Sequence, residues 1–563
     1  MRNFCGILLG CLLLLLLCGC PPRTGGSNAG NGNKQPVSNA SIGGTVRLPL
    51  EIAPDDPDFA AMDLSQQRLY ALARAVGVNL TAPVTGKDEV KNSLATGVEV
   101  NVDGSMWLFK LPEQDDPLLL PGQVRSRITA IANGPRSMLH AQVLDLIEGA
   151  RDVESGKALD ISGILVTDNS IGFKLTRPYM QFDSWLSQPG LSVVDIAVTM
   201  DADDPALVAD ASSNGYGPWK IDRMEQDEAG VSELVLVPNP DSLLGQPVAT
   251  ELRFVLEPDR EKQVQLFRDG RLDAANIPTT MVGQLGNDPE LGSMLSSHET
   301  AVSLLALFDH GQDPWGDQLM QDKVGLRRSL ALSIDRETLE EENNGQVQGW
   351  SHFLPRHFNA AIPMELMNNP SFPQTAMLEE ARKAQKDSDH EQGTHLPVNM
   401  DIAFLNYDNL ESLDRDLLQF WSDISIRLQP FPLSNVDLLR RIDLNSHEVI
   451  VFWNYPAWPD AGACIYPQLY SPLIGNGANY SRISIPEVDE AILEAQATDN
   501  EQLRNLYLGN ISRIIEEKGL FVPAAYASPS LLLNPKLAAS PGPYDFNASL
   551  QGQDFAAIGI SLD

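Results

Sequence analysis

The sequence predicts an α/β protein of more than one structural unit, on three observations. Short β-type runs alternate with stretches of helical periodicity along the whole chain after residue 43. The 563 residues exceed what one hydrophobic core organises, so two or more domains or lobes are expected. With 43% hydrophobic and 20% charged residues the composition is that of a globular chain, because a disordered one lacks the apolar material for a core. No internal repeat of fixed period, second membrane-length apolar run or low-complexity block interrupts the body.

In chain order, Thr45–Leu50 alternates as a strand does. Residues 63–76 carry Leu69, Leu72 and Val76 at helical spacing. A second helix is predicted over 137–148, opened by Ser137. Residues 163–167, 171–175 and 234–238 read as strands. Between 486 and 518, Val488, Ile492 and Leu493, then Leu503, Leu506, Ile511, Ile514 and Ile515, predict two amphipathic helices parted by Thr498-Asp499-Asn500.

The formal net charge is −35, from 75 acidic and 40 basic side chains. No basic run is present to displace phosphate counterions, so nucleic acid is excluded as a broad partner, and adhesion to anionic lipid is disfavoured. Membrane attachment has another source. Arg2 precedes an apolar run whose centre, 12–17, is six consecutive leucines, too short to span a bilayer and suited to a secretory signal peptide. Leu17-Cys18-Gly19-Cys20 resembles the bacterial lipobox, which implies a signal peptide over 1–19 and a diacylated Cys20 as first residue of the mature chain. Acyl chains contribute roughly 0.8 kcal/mol per buried methylene, which anchors a protein without a spanning helix. Residues 20–42 then hold the lipidated Cys20 and a tether rich in Gly, Asn, Ser and Pro. Cys464 is left as the one thiol of the body, expected to be buried, with no internal disulfide.

Several ordered segments resemble the extracellular solute-binding proteins of family 5, the oligopeptide, dipeptide and nickel receptors of ABC importers. Gly43 to Arg47 is similar to the family's opening strand, and the Asp103-Gly104 hairpin over 102–111 to another family segment. Asn214 to Lys220 resembles its Gly-Pro-Tyr turn, followed by Leu236, Asn239, Pro240 and Asp241, and then by 266–273. The helix over 324–336, with Arg327, Leu330, Ala331, Ile334, Asp335 and Arg336, matches best. Residues 378–384 and Pro486 to Asp489 continue the order. The resemblance implies a two-lobed, periplasmic-binding-protein-like α/β fold of type II with an extra subdomain in the first lobe. It places the first lobe at 43–303 plus 527–563 and the second at 304–526. Solute would be enclosed by lobe closure, with no chemistry.

The loop after residue 450 occupies the place where peptide-binding members carry an Asp that receives the ligand's α-ammonium. Counting from Trp453 puts Pro456 there; matching Pro459-Asp460-Ala461 to the second half of the motif puts Ala457 there. Either way that carboxylate is missing. Trp453, Asn454, Tyr455, Trp458 and Asp460 are the expected ligand-binding residues, the rings offering apolar faces with polar edges.

The eight histidines are scattered, and His352 and His357 lack the i, i+4 spacing of a helical metal pair. Asp55-Asp56, Asp201 with Asp203 and Asp204, and Glu340 to Glu342 read as solvated faces, so no metal or cofactor is expected. No nucleophile elbow, His-Glu-x-x-His helix, phosphate loop or paired Cys site occurs, and no enzyme is expected. The reading is a lipid-anchored, monomeric receptor in the bacterial envelope, its body in the periplasm or outside the cell, that captures a peptide or similar solute for an ABC permease. The alternative is a degenerate relative serving as a sensing or interaction lipoprotein without transport.

Overall fold

The computed structural model describes residues 42–54, 69–84, 89–194, 198–200, 207–209, 215–227, 230–297, 299–311, 324–392, 398–405, 411–433, 449–538 and 559–561. The leader, Cys20, most of the tether, residues 63–68 of the first expected helix, Asn214, His298, His395, His447 and the acidic groups at 55–56 and 201–204 lie outside them.

A first region opens with β1 (Thr45–Leu50) and α1 (Tyr70–Val76). Val46, Leu48 and Leu50 point into its core, as strand alternation requires. The chain then builds an insert around a four-stranded sheet. Its elements are β2 (Gly97–Val100), β3 (Met106–Lys110), α2 (Leu119–Ala132), α3 (Met138–Leu146), β4 (Ile164–Thr167) and β5 (Ser170–Lys174), with strand order β2-β3-β5-β4. The expected hairpin is present: Gly104 adopts φ 73°, a left-handed turn conformation that glycine tolerates, and the Asp103 carboxylate accepts the Ser105 N–H at 3.1 Å. Ser137 caps α3 by accepting the His140 N–H. That helix ends at Leu146, two residues before the expected 148, because Ile147 turns extended to bridge Leu175.

The first region resumes with β6 (Val198–Met200), β7 (Leu207–Ala209), β8 (Trp219–Gln226), β9 (Ser232–Pro238) and β10 (Glu251–Leu256), in one sheet of order β1-β10-β9-β8-β7-β6. The β1–β10 pair is parallel and the others antiparallel. One face buries Leu252, Phe254 and Leu256, while Glu251 and Arg253 face the other way. α4 (Arg260–Arg268) is capped by Asp259, and β11 (Ala274–Asn276) and β12 (Leu295–Ser297) join a small second sheet.

From β12 the chain crosses into another region, starting with β13 (Ser303–Phe308), α5 (Val324–Ser333) and α6 (Arg336–Glu342). The segment read as one helix over 324–336 is therefore interrupted. Asp335 leaves helical geometry and accepts the Thr338 N–H, capping a new helix. The rest comprises β14 (Val347–Gly349), α7 (Leu378–Gln392), β15 (Val398–Leu405), α8 (Glu411–Asp423), β16 (Ile426–Leu433) and β17 (Val449–Asn454). It closes with α9 (Gly462–Leu469), α10 (Pro486–Ala497), α11 (Glu501–Lys518) and β18 (Phe521–Ala527). Its sheet runs β14-β18-β13-β17-β15-β16. The break between α10 and α11 falls at Thr498-Asp499-Asn500 as expected, with Asn500 capping α11 through the Leu503 N–H.

The chain returns through Ser528 to β19 (Ser530–Leu533), which lies between β11 and β12. The two crossings run side by side: Thr300 donates to the Ala527 carbonyl through N–H and Oγ1, Ala527 N–H donates to Val302 at 2.8 Å, and the Ser297 and Ser530 hydroxyls meet at 2.6 Å.

Candidate functional site

In the second region's sheet β13 and β17 are buried on both faces, and this sorts the aromatic loop. Along β17, Val449, Val451 and Trp453 join the core formed with α5, α7 and α8, and Tyr455 packs against the same core. Ile450 and Phe452 point to the opposite face, into a core shared with α9, α10, α11 and the insert, and Trp458 belongs there. The loop's rings therefore divide between two faces.

Asn454 is buried and pairs in register with Ser303, where the chain enters the sheet. Its amide reaches the Cys464 carbonyl and the Gln468 side chain only at 3.5 Å. Trp458 is fully buried, and its Nε1–H has no acceptor among the described residues. The Asp460 carboxylate accepts the Gly462 N–H at 2.6 Å and is ion-paired with Arg504 on α11, so its charge is already met inside the protein. A Cβ at 462 would meet Asp460 Oδ1 at 2.6 Å, so any larger residue there displaces that carboxylate. Burial, with Asp460 nearby, pushes the Cys464 thiol far up; buried as expected, it stays a neutral packing group.

Facing this loop from the insert is a cluster that the sequence reading missed. Tyr179 is buried, and burial, followed by the Asp460 charge, raises its phenol well above the usual range. Arg177 lies beside Asp145, Tyr466 and Tyr470. Asp145 is 32 positions from Arg177, but Tyr466 and Tyr470 are more than 280 away, and only the chain reversal at the end of β5 hinted that 176–181 faces something.

The histidines take separate structural positions. His352 Nδ1 is 2.7 Å from Glu516 Oε1 in a buried pair, whereas His357 packs edge-on against Phe358. Among the described residues no group of three or more His, Cys, Asp or Glu is placed to hold a metal ion, and no helix is long and apolar enough to cross a membrane. A hollow of about 530 Å³ on the first region's sheet is lined by Arg47, Glu225, Glu233, Arg253 and Arg271 among others, and by no residue of the aromatic loop. Arg253 there is spent on Glu225, Glu233 and Glu251.

Comparison with known proteins bears on this architecture. The family model described as bacterial extracellular solute-binding proteins, family 5 Middle, matches residues 89–472, more than half of the chain. A probable di/tripeptide-binding protein 5 of Pseudomonas aeruginosa is 21% identical over 429 residues, covering 75% of this chain and 74% of that protein. The dipeptide-binding protein DppE of Bacillus subtilis is 22% identical over 198 residues, so the match spans only 33% of its length and 34% of this chain. Among solved structures, Haemophilus influenzae OppA in complex with RPPGFSPFR superposes with a TM-score of 0.71 at 15% identity, covering 93% of this chain and 100% of that one. This likeness establishes the two-lobed periplasmic-binding-protein architecture.

Proposed function

Because the chain belongs to family 5 of the bacterial extracellular solute-binding proteins, whose members bind rather than transform their solutes, we propose that it captures a peptide or similar small solute between its lobes and delivers it to an ABC permease. The first lobe comprises 43–303 and 527–563 and the second 304–526. The paired crossings at Thr300–Val302 and Ala527–Ser528 are the hinge, a short element that absorbs the closing rotation. The observation that carries the reading is the register of Asn454 with Ser303, which supports a ligand loop beginning directly beside that hinge.

Trp453, Asn454, Tyr455, Trp458 and Asp460 are the ligand-binding residues of this reading. Orphaned donors such as Trp458 Nε1–H support a ligand that brings acceptors. With Asp460 held by Arg504, a free α-ammonium gains no unpaired carboxylate from this loop, so N-terminally blocked or uncharged solutes suit it at least as well as free peptides. The molecule acts as a monomer, anchored through acyl chains on Cys20 after removal of 1–19. A second reading, a sensing or interaction lipoprotein without transport, is favoured by the same Asp460–Arg504 pair.

Thermal denaturation of the full chain with di- to penta-peptides, free and N-acetylated, tests the first reading. A ligand at 100 times its Kd adds about 2.7 kcal/mol to native stability and raises the melting temperature by several degrees. No shift with any peptide at millimolar concentration favours the second reading.

A further inference from the structure

Arg177 sits just past β5, where the insert meets α9 and α10. Its guanidinium carbon lies 4.9 Å from the ring centroid of Tyr470 and 5.6 Å from that of Tyr466, and its Nη2 is 2.5 Å from Asp145 Oδ2. Nε donates to Gln496 Oε1 at 3.2 Å. The Tyr466 hydroxyl donates back across the junction to Asp145 at 2.5 Å, and Met180 N–H donates to the Gln496 carbonyl at 2.7 Å. Both charged side chains are nearly out of water, at 15% and 9% exposure.

The arrangement is divided in an informative way. The ion pair Arg177–Asp145 lies wholly within the insert, so neither charge depends on the second lobe for neutralisation. What crosses the junction, beside the apolar core that the insert shares with α9, α10 and α11, is two ring faces, the Tyr466 hydroxyl, the Met180 amide and the bonds from Arg177 to Gln496 and from Gln181 to Thr498, none of which strands a charge when parted. Burial, then the neighbouring Asp145, holds the Tyr466 phenol far above its usual range, which keeps it a neutral donor. The polar part of this junction is therefore specific when made and leaves no unpaired charge when parted.

We propose that Arg177 is a positioning residue for solute capture: with its rings it clasps the insert to α9 and α10 in the shut molecule, and so sets the fraction of empty protein that is closed. The proposal rests on the capture reading, in which the insert belongs to the first lobe. Loss of the clasp lowers the closed fraction, and apparent affinity falls by the same factor.

The test is small-angle X-ray scattering on the full chain, stripped of solute by reversible denaturation, for wild type, Arg177→Ala, Tyr470→Leu and Tyr470→Phe. A compact chain of this size has a radius of gyration of about 24 Å, and lobe opening adds on the order of 1 Å. Arg177→Ala and Tyr470→Leu are expected to expand the protein by that amount, whereas Tyr470→Phe, which keeps the ring face, leaves it compact. Tyr470→Leu keeps the Arg177–Asp145 pair intact and covers the case in which Arg177→Ala fails to fold. Unchanged radii in Arg177→Ala and Tyr470→Leu, or equal expansion in Tyr470→Phe and Tyr470→Leu, overturn the clasp. A lowered melting temperature with no expansion assigns Arg177 a purely structural role and overturns it as well. The scattering readout needs no ligand, so failure to find any bound solute counts against the capture reading alone.

Discussion

The two six-stranded sheets solve the same packing problem in opposite ways. In the first region, β10 alternates: Leu252, Phe254 and Leu256 enter the core while Glu251 and Arg253 lie on a partly solvated face laced by ion pairs. In the second, every residue of β13 and β17 is buried, because helices cover both faces. The consequence for arginine is direct. Arg253 is 18% exposed and exchanges its charge with carboxylates. Arg336 is fully buried and donates to backbone carbonyls instead, including Pro373 at 2.7 Å and Pro523 at 2.5 Å. Arg327 likewise closes the end of α11 through the Lys518 and Gly519 carbonyls. Around the fully buried strands β13 and β17 the cations serve as internal ties, and on the partly solvated face of β10 they serve as surface charge balance.

The largest effect separating the two sheets is expected from that contrast. Arg336→Leu strands several buried carbonyls and costs about 3 to 5 kcal/mol, against about 1 kcal/mol for Arg253→Leu, as read from urea midpoints. Equal costs would break the distinction.

A second difference is titratable. His310, next to β13, is buried, and burial, with Arg327 nearby, pushes its imidazole down to about 3. The unfolded chain therefore takes up this proton near pH 6.5 and the folded one only near 3, so stability falls as pH drops through that window. Lowering the pH from 7 to 4.5 costs about 2 to 3 kcal/mol through this group, and His310→Gln flattens that part of the profile. A profile unchanged by His310→Gln would show that the site admits water.

Smaller still is Gly462→Ala, which pushes a Cβ onto Asp460 Oδ1 and costs about 1 to 2 kcal/mol while loosening the Arg504 pair. Asn500→Ala, removing the cap of α11, costs about 1 kcal/mol.

Local signals carried much of the fold. The Asp103-Gly104 turn, the strand Thr45–Leu50 and the polar break at Thr498-Asp499-Asn500 were all legible, since each is settled within a few residues. The segment 324–336 was read as one helix, whereas the helix ends at Ser333 and Asp335 caps a second one, because its side chain competes with the helix for the backbone. The candidate site was legible only in composition. That Trp453 and Tyr455 share a face opposite Asn454 follows from strand alternation once β17 is known, but the Arg504 partner of Asp460 lies 44 positions away and the Tyr466 partner of Asp145 lies 321 away. Such pairings depend on tertiary folding, and no local pattern announces them.

Mass spectrometry of the denatured full chain, purified without added ligand, bears most directly on solute capture. A small solute released in near-stoichiometric amount, and lost from a variant carrying Trp453→Ala and Trp458→Ala that still folds, is the outcome this account predicts. Repeated preparations that release nothing, or a solute retained at full occupancy by that variant, would contradict it.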